Sequence, residues 1–207
     1  MDLIFDLIPN ELVPFDFKTF HAAKEHFFIG TTDCLTGQPV YFEKNDYPND
    51  ILAIVRASSS LPFMSKGVTF NGRLLMDGGI SDPIPLRKAL ADGAEKPVIL
   101  LTKHKGYRKK ISRISKTSRY FYKEYTGLNY ALEMHWQHYN DQLEEIEQLE
   151  REGKVFVIRP SSDLRIRNAE RDPDKLEQFY NQGYSDARSL FESMENWLRV
   201  PAVNIGL

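Results

Sequence analysis

The chain has 207 residues, 42% hydrophobic and 27% charged, with a formal net charge of −2. That composition suits one ordinary globular core and sets aside a disordered or fibrous chain. Cys34 is the one cysteine, which excludes an intrachain disulfide and any zinc site built on several thiolates.

No apolar run approaches the roughly eighteen residues of a membrane span. The opening Met1-Asp2-Leu3-Ile4-Phe5-Asp6 carries acid where a secretory signal requires base, so the expected location is the cytoplasm. In chain order, Phe27–Thr32 and Val40–Phe42 flank a Leu35–Pro39 connection and read as two antiparallel strands. Asp50 then opens a helix with Ile51, Ile54 and Val55 on one face, closed by Ser58, Ser59, Ser60 and Pro62. Val68–Phe70 and Leu74–Met76 form a hairpin about Asn71-Gly72, a strong two-residue turn signal. Pro85–Leu90 is a short helix ending near Gly93. Val98–Thr102 is a continuous apolar run expected to be a strand buried on both faces, and Val155–Ile158 is expected to join the same sheet. Asp172-Pro173 starts the last helix. Its stripe Leu176, Phe179, Tyr180, Tyr184, Ala187, Leu190, Phe191, Met194, Trp197 and Leu198 is expected to face the core. Alternating strands and helices predict an α/β fold with helices on the faces of the sheet, and residues 1–207 read as a single domain.

The chemistry concentrates at Arg73-Leu74-Leu75-Met76-Asp77-Gly78-Gly79, where a strand delivers an aspartate onto two glycines. Asp-Gly after an apolar run is commonly a plain turn. Here it follows Ala57-Ser58-Ser59-Ser60-Leu61-Pro62-Phe63-Met64 and the hairpin, and paired glycines with positive φ would let the carboxylate project from the strand end into a cleft.

That order resembles the patatin-like phospholipase family, on Ala57, Ser58, Pro62, Asp77, Gly78 and Gly79. The similarity extends through Pro97–Thr102 and Gly106–Lys110, which look like a bacterial branch, and more loosely to the end of the chain. The resemblance implies a central, mostly parallel sheet flanked by helices, and a serine acyl hydrolase acting on a lipid or other acyl ester. Asp77 would be the acid of a Ser-Asp dyad, with no cofactor and no metal. The family's glycine-rich oxyanion loop and Gly-x-Ser-x-Gly elbow are absent, because no serine lies between two glycines at the spacing of the strained elbow; Ser81, in Gly79-Ile80-Ser81-Asp82-Pro83, lacks the second glycine. The chain therefore reads as a carboxy-terminal portion missing about 60 to 80 residues, if each lost strand-helix unit takes about 30. The fold is expected to be incomplete on its amino-terminal side and the chain inactive alone. An exposed sheet edge could then pair with another copy, which leaves the oligomeric state open.

Other polar groups have plainer readings. Asp82, before Pro83 and Pro85, suits a cap or turn that accepts backbone N–H groups. Glu133, His135 and His138 share a helix at ligand-like spacing, but no third metal ligand accompanies the histidines. His21, His26 and His104 lack catalytic context. Residues 103–119 carry eight Lys or Arg and no acid, while 141–152 carry six acids against Arg151. A helix over the basic segment, with Ile111 and Ile114 on one face, could lie on an anionic membrane; alternatively the acidic segment pairs with it. Without a reading motif or overall positive charge, nucleic acid is not expected as a partner. A non-catalytic lipid-surface or protein-binding module is the alternative function.

Overall fold

The computed structural model describes residues 3–112, 115–163, 170–202 and 205. Two compact units emerge, one of residues 1–84 and 110–139, the other of residues 85–109 and 140–207.

In the first unit a π-type helical segment, Leu3–Leu12, precedes α1 (Phe17–Ala22). Strands β1 (Phe28–Asp33), β2 (Pro39–Glu43), β3 (Val68–Phe70) and β4 (Arg73–Asp77) form a sheet in the order β2-β1-β4-β3. Every pairing in it is antiparallel. The central, mostly parallel sheet expected from the family resemblance is therefore not what these strands form. The reason is local, since connections as short as Asn71-Gly72 join only antiparallel neighbours. Asn71 and Gly72 have φ of 48° and 73°, the two left-handed residues of a primed hairpin turn, as their identities foretold.

Strand β4 explains its unbroken apolar run by being covered on both sides. Leu75 packs with Ile29, Phe42 and the buried residues of α2 (Ile51–Ser58), namely Ile51, Ile54 and Ala57. Met76 points the other way, to Cys34, Ile80, Leu128 and Ala131, the last two from the start of α5 (Thr126–Arg151). Successive strand side chains alternate faces, so one residue of register separates the two cores. Cys34 is fully buried, and that burial, helped by the neighbouring Asp33 carboxylate, pushes its thiol pKa up to about 12. Lys44 is also enclosed: its ammonium donates to the Phe20 and Ala23 carbonyls at 3.0 and 2.8 Å and so caps the end of α1. Asp50 stands at the N-cap of α2 without a side-chain capping bond. At the other end Ser59 and Ser60 donate their hydroxyls to the Val55 and Arg56 carbonyls at 2.9 and 2.8 Å, closing the helix.

The second unit holds α3 (Leu86–Ala91), β5 (Val98–Leu100), β6 (Phe156–Ile158) and α6 (Pro173–Arg199). Strands β5 and β6 pair in parallel, as expected for these two runs, but as a two-stranded sheet of their own. Only one face of β5 is covered. Ile99 is buried while Leu100 is 74% exposed, which corrects the expectation of burial on both faces. Helix α6 is correctly begun by Asp172, whose carboxylate accepts the amides of Asp174 and Lys175. Its stripe is not core-facing throughout. Phe179, Leu190, Met194 and Trp197 are half-buried, whereas Leu176, Tyr180, Tyr184, Phe191 and Leu198 stand exposed. A two-stranded sheet offers too narrow a surface to cover so wide a stripe, and Trp197 reaches it by its ring, 5.9 Å from that of Phe156. Lys96 holds the end of α6, donating to the Trp197 and Val200 carbonyls.

Candidate active-site turn

Asp77 ends β4, opposite Thr31 of β1, and begins a single 3-10 turn, Gly78–Ile80. Each part of the residue is fixed by a different neighbour. Its amide donates to the Ser60 carbonyl at 3.0 Å, tying the strand end to the segment that follows α2. Its own carbonyl accepts the Thr32 hydroxyl at 2.7 Å. Its carboxylate Oδ1 accepts the Gly79 amide at 2.8 Å. Thr32 Oγ1 also lies 2.8 Å from Ser81 Oγ; since a hydroxyl has one proton and Thr32 gives it to Asp77, Ser81 must be the donor. Thr32 is wholly buried and Asp77 half-buried, so a chain of hydroxyls inside the sheet determines the course of a turn at its edge.

The two glycines serve a purpose other than the one their sequence suggests. Neither has a positive φ. A Cβ on Gly78 would stand 2.3 Å from the Gly30 carbonyl oxygen, so Gly78 is needed for close approach of the turn to β1. A Cβ on Gly79 would stand 3.1 Å from Asp77 Oδ1, so its absence leaves room for the carboxylate. The expectation of a sharp left-handed turn is thereby replaced by one of steric clearance.

Asp82 Oδ2 accepts the hydroxyl of Tyr41, on β2. The Tyr41 ring lies against Gly30, where an added Cβ would be 3.3 Å from it. Residues 77 to 82 are thus fastened to β1 at one end and to β2 at the other. Tyr41 and Thr32 were missed by sequence reasoning, because nothing local to them signals a partner more than forty positions away. Chemically, the turn offers a positioned carboxylate able to accept a proton from a hydroxyl brought to it.

The remaining candidates disperse. Glu133 is ion-paired with Arg119 at 2.7 Å, the His135 ring packs edge-on to Tyr139, and no group of three or more potential metal ligands occurs among the described residues. His104 Nδ1 lies 2.8 Å from the Lys105 carbonyl. The basic segment is not the amphipathic helix expected of it: residues 107–112 are irregular and α4 begins only at Ser115 (Ser115–Phe121), with Ile114 outside the described residues. Part of it pairs with the acidic segment instead. Arg108 grips both Glu147 oxygens, at 3.1 and 2.8 Å, and holds that carboxyl below its usual range. Asn140 completes the join by exchanging two bonds with the Lys109 backbone, at 2.8 and 3.0 Å. No helix among the described residues is long and apolar enough to cross a membrane.

Residues 6–90 match the family described as patatin-like phospholipase, a segment that contains the whole of the Asp77 strand and its preceding helix. Over that segment, which is less than half of the chain, the sequence is similar to the patatin-like phospholipase family, a family of lipid acyl hydrolases. Residues 125–199 match a domain of unknown function, DUF6363. The uncharacterized protein YjjU of Escherichia coli (strain K12) is 44% identical over 52 residues, which is 25% of this chain and 15% of that protein.

Proposed function

We propose that Asp77 is the acid of a Ser-Asp dyad in a lipid acyl hydrolase, and that this chain supplies the carboxylate without the nucleophile. A serine from a preceding glycine-flanked elbow would attack the ester carbonyl while Asp77 takes its proton, and water would then cleave the acyl-enzyme. Backbone N–H groups of an oxyanion loop would stabilise the intermediate, each worth about 3–4 kcal/mol. On this reading residues 1–207 are the carboxy-terminal part of one acyl hydrolase domain, located in the cytoplasm and inactive alone. A strand edge left open by the absent elements would be free to pair with another copy. What supports the reading most is that Asp77 ends a strand inside the segment similar to the patatin-like phospholipase family, while its Oδ1 contact with the Gly79 amide is ordinary turn chemistry.

The test has two arms. A fluorophosphonate should leave the intact mass of this chain unchanged, and a stoichiometric adduct would reveal a nucleophile within it. In the protein that includes the elbow serine, Asp77→Asn should abolish hydrolysis of p-nitrophenyl esters with the fold intact; undiminished turnover would remove Asp77 from the mechanism.

A second reading, a non-catalytic lipid-surface or protein-binding module on the same scaffold, is favoured by the exposed apolar side of α6. Such a module would bind anionic liposomes through residues 103–119 and release them as salt rises.

A further inference from the structure

The match to the domain of unknown function begins at residue 125, yet the first turns of α5 belong to the same compact unit as Asp77. They are attached closely. A Cβ on Gly127 would stand 2.2 Å from the Thr36 carbonyl carbon, so α5 starts with its backbone against the β1–β2 connection. The Leu128 amide donates to the Cys34 carbonyl at 3.0 Å, and Leu128 shares a buried cluster with Met76, the residue before Asp77. Asn129, 7% exposed, donates its Nδ2 to the Tyr122 carbonyl at 2.8 Å. The Tyr122 amide donates to the Ser118 carbonyl at 2.8 Å, so the backbone of this residue is fixed on both sides.

From that anchor the Tyr122 side chain reaches the segment between α2 and β3. Its hydroxyl oxygen accepts the Phe63 amide at 3.0 Å, and the two rings meet edge-on with centroids 5.4 Å apart. Phe63 has φ of 67°, a left-handed conformation that a bulky side chain holds only when its surroundings impose it. Little between Phe63 and Ser60 can absorb a movement. The ring of Pro62 locks its own φ, and the Met64 and Ser65 amides both close onto the Leu61 carbonyl, at 3.2 and 3.0 Å. Ser60 is wholly buried, and its carbonyl holds the Asp77 amide at 3.0 Å.

We infer that Tyr122 is a positioning residue for Asp77, and that the start of α5 is the buttress from which it acts. The bond from the Phe63 amide keeps the connection in its strained form, and through Ser60 that form sets where the end of β4 lies. The opening turns of the segment of unknown function thereby acquire a task, bracing the turn that bears the carboxylate. The catalytic consequence rests on Asp77 being the general base of the proposed dyad; the hold on the turn does not.

Amide hydrogen exchange on this chain reads that hold directly. Tyr122→Phe keeps the ring and removes the acceptor, and the Asp77 amide should then exchange about tenfold faster. The Lys44 amide, bonded to the Phe27 carbonyl at the far end of β1 and β2, should change by less than about twofold. Adding Phe63→Gly should restore most of the protection at Asp77, because glycine takes a positive φ without strain. In the protein that includes the elbow serine, Tyr122→Phe should lower kcat about tenfold with KM within about twofold, and the double variant should regain kcat. Equal acceleration at Asp77 and Lys44 would mean a general loss of stability and overturns the inference, as does failure of Phe63→Gly to restore protection. If exchange behaves as expected while Asp77→Asn keeps its turnover, the dyad fails and the brace stands. If Asp77→Asn abolishes turnover while Tyr122→Phe leaves both exchange and kcat unchanged, the dyad stands and the brace fails.

Discussion

Strand β4 and helix α6 carry equally plain apolar patterns, yet the structure treats them oppositely. Leu75 and Met76 vanish into two cores, while half the stripe of α6 remains in solvent. Periodicity states which side chains can share a face; it does not supply the surface that covers them. Strand β4 has α2 on one side and the start of α5 on the other. Helix α6 has a sheet of two strands.

This contrast makes its largest prediction at Leu75. Leu75→Ala should cost about 2–5 kcal/mol in urea unfolding, whereas Phe191→Ala on α6 should stay within about 0.5 kcal/mol. Equal losses would mean that the α6 face is covered in solution. Next comes Gly78→Ala, where a methyl meets the Gly30 carbonyl; about 2–3 kcal/mol should be lost, and much more than by Gly79→Ala. Gly79→Ala should instead disturb the Asp77 carboxylate, read as a changed carboxyl 13C shift. Thr32→Val removes the hydroxyl that Asp77's carbonyl accepts and the acceptor of the Ser81 hydroxyl, and should cost about 1–3 kcal/mol, with Thr32→Ser recovering most of it. A Thr32→Val protein as stable as the wild type would show that the hydroxyl chain does not hold the turn.

The smallest effect belongs to the second unit. Arg108 lowers the Glu147 pKa by hydrogen bonding, so the pair's stabilisation is present above the unfolded carboxyl value of 4.5 and lost as pH falls through the lower folded value. For a partly exposed pair this should be under about 1 kcal/mol, and Arg108→Gln should flatten the acid limb of a pH–stability curve. An unchanged limb would remove the pair from the account.

What could be read in the sequence was what short segments decide by themselves. Asn71-Gly72 can hardly be other than a primed turn, and Asp172-Pro173 carries its own cap and first-turn geometry. The strand leading to Asp77 was equally plain. The role of Gly78 was not, because its constraint comes from Gly30, far away in sequence. The bond from Tyr41 to Asp82 was not legible either, since Tyr41 lies on another strand. The basic run seemed helical from spacing alone, but Arg108 and the Lys109 backbone have better partners on α5 than a helix of their own would offer.

The enclosure of Cys34 gives this protein a built-in reporter. A lone thiol whose ionisation is suppressed that far stays silent toward disulfide reagents until the sheet around it opens. The rate at which it is trapped by excess reagent at neutral pH therefore measures the breathing of the framework behind Asp77, one labelling event per opened molecule.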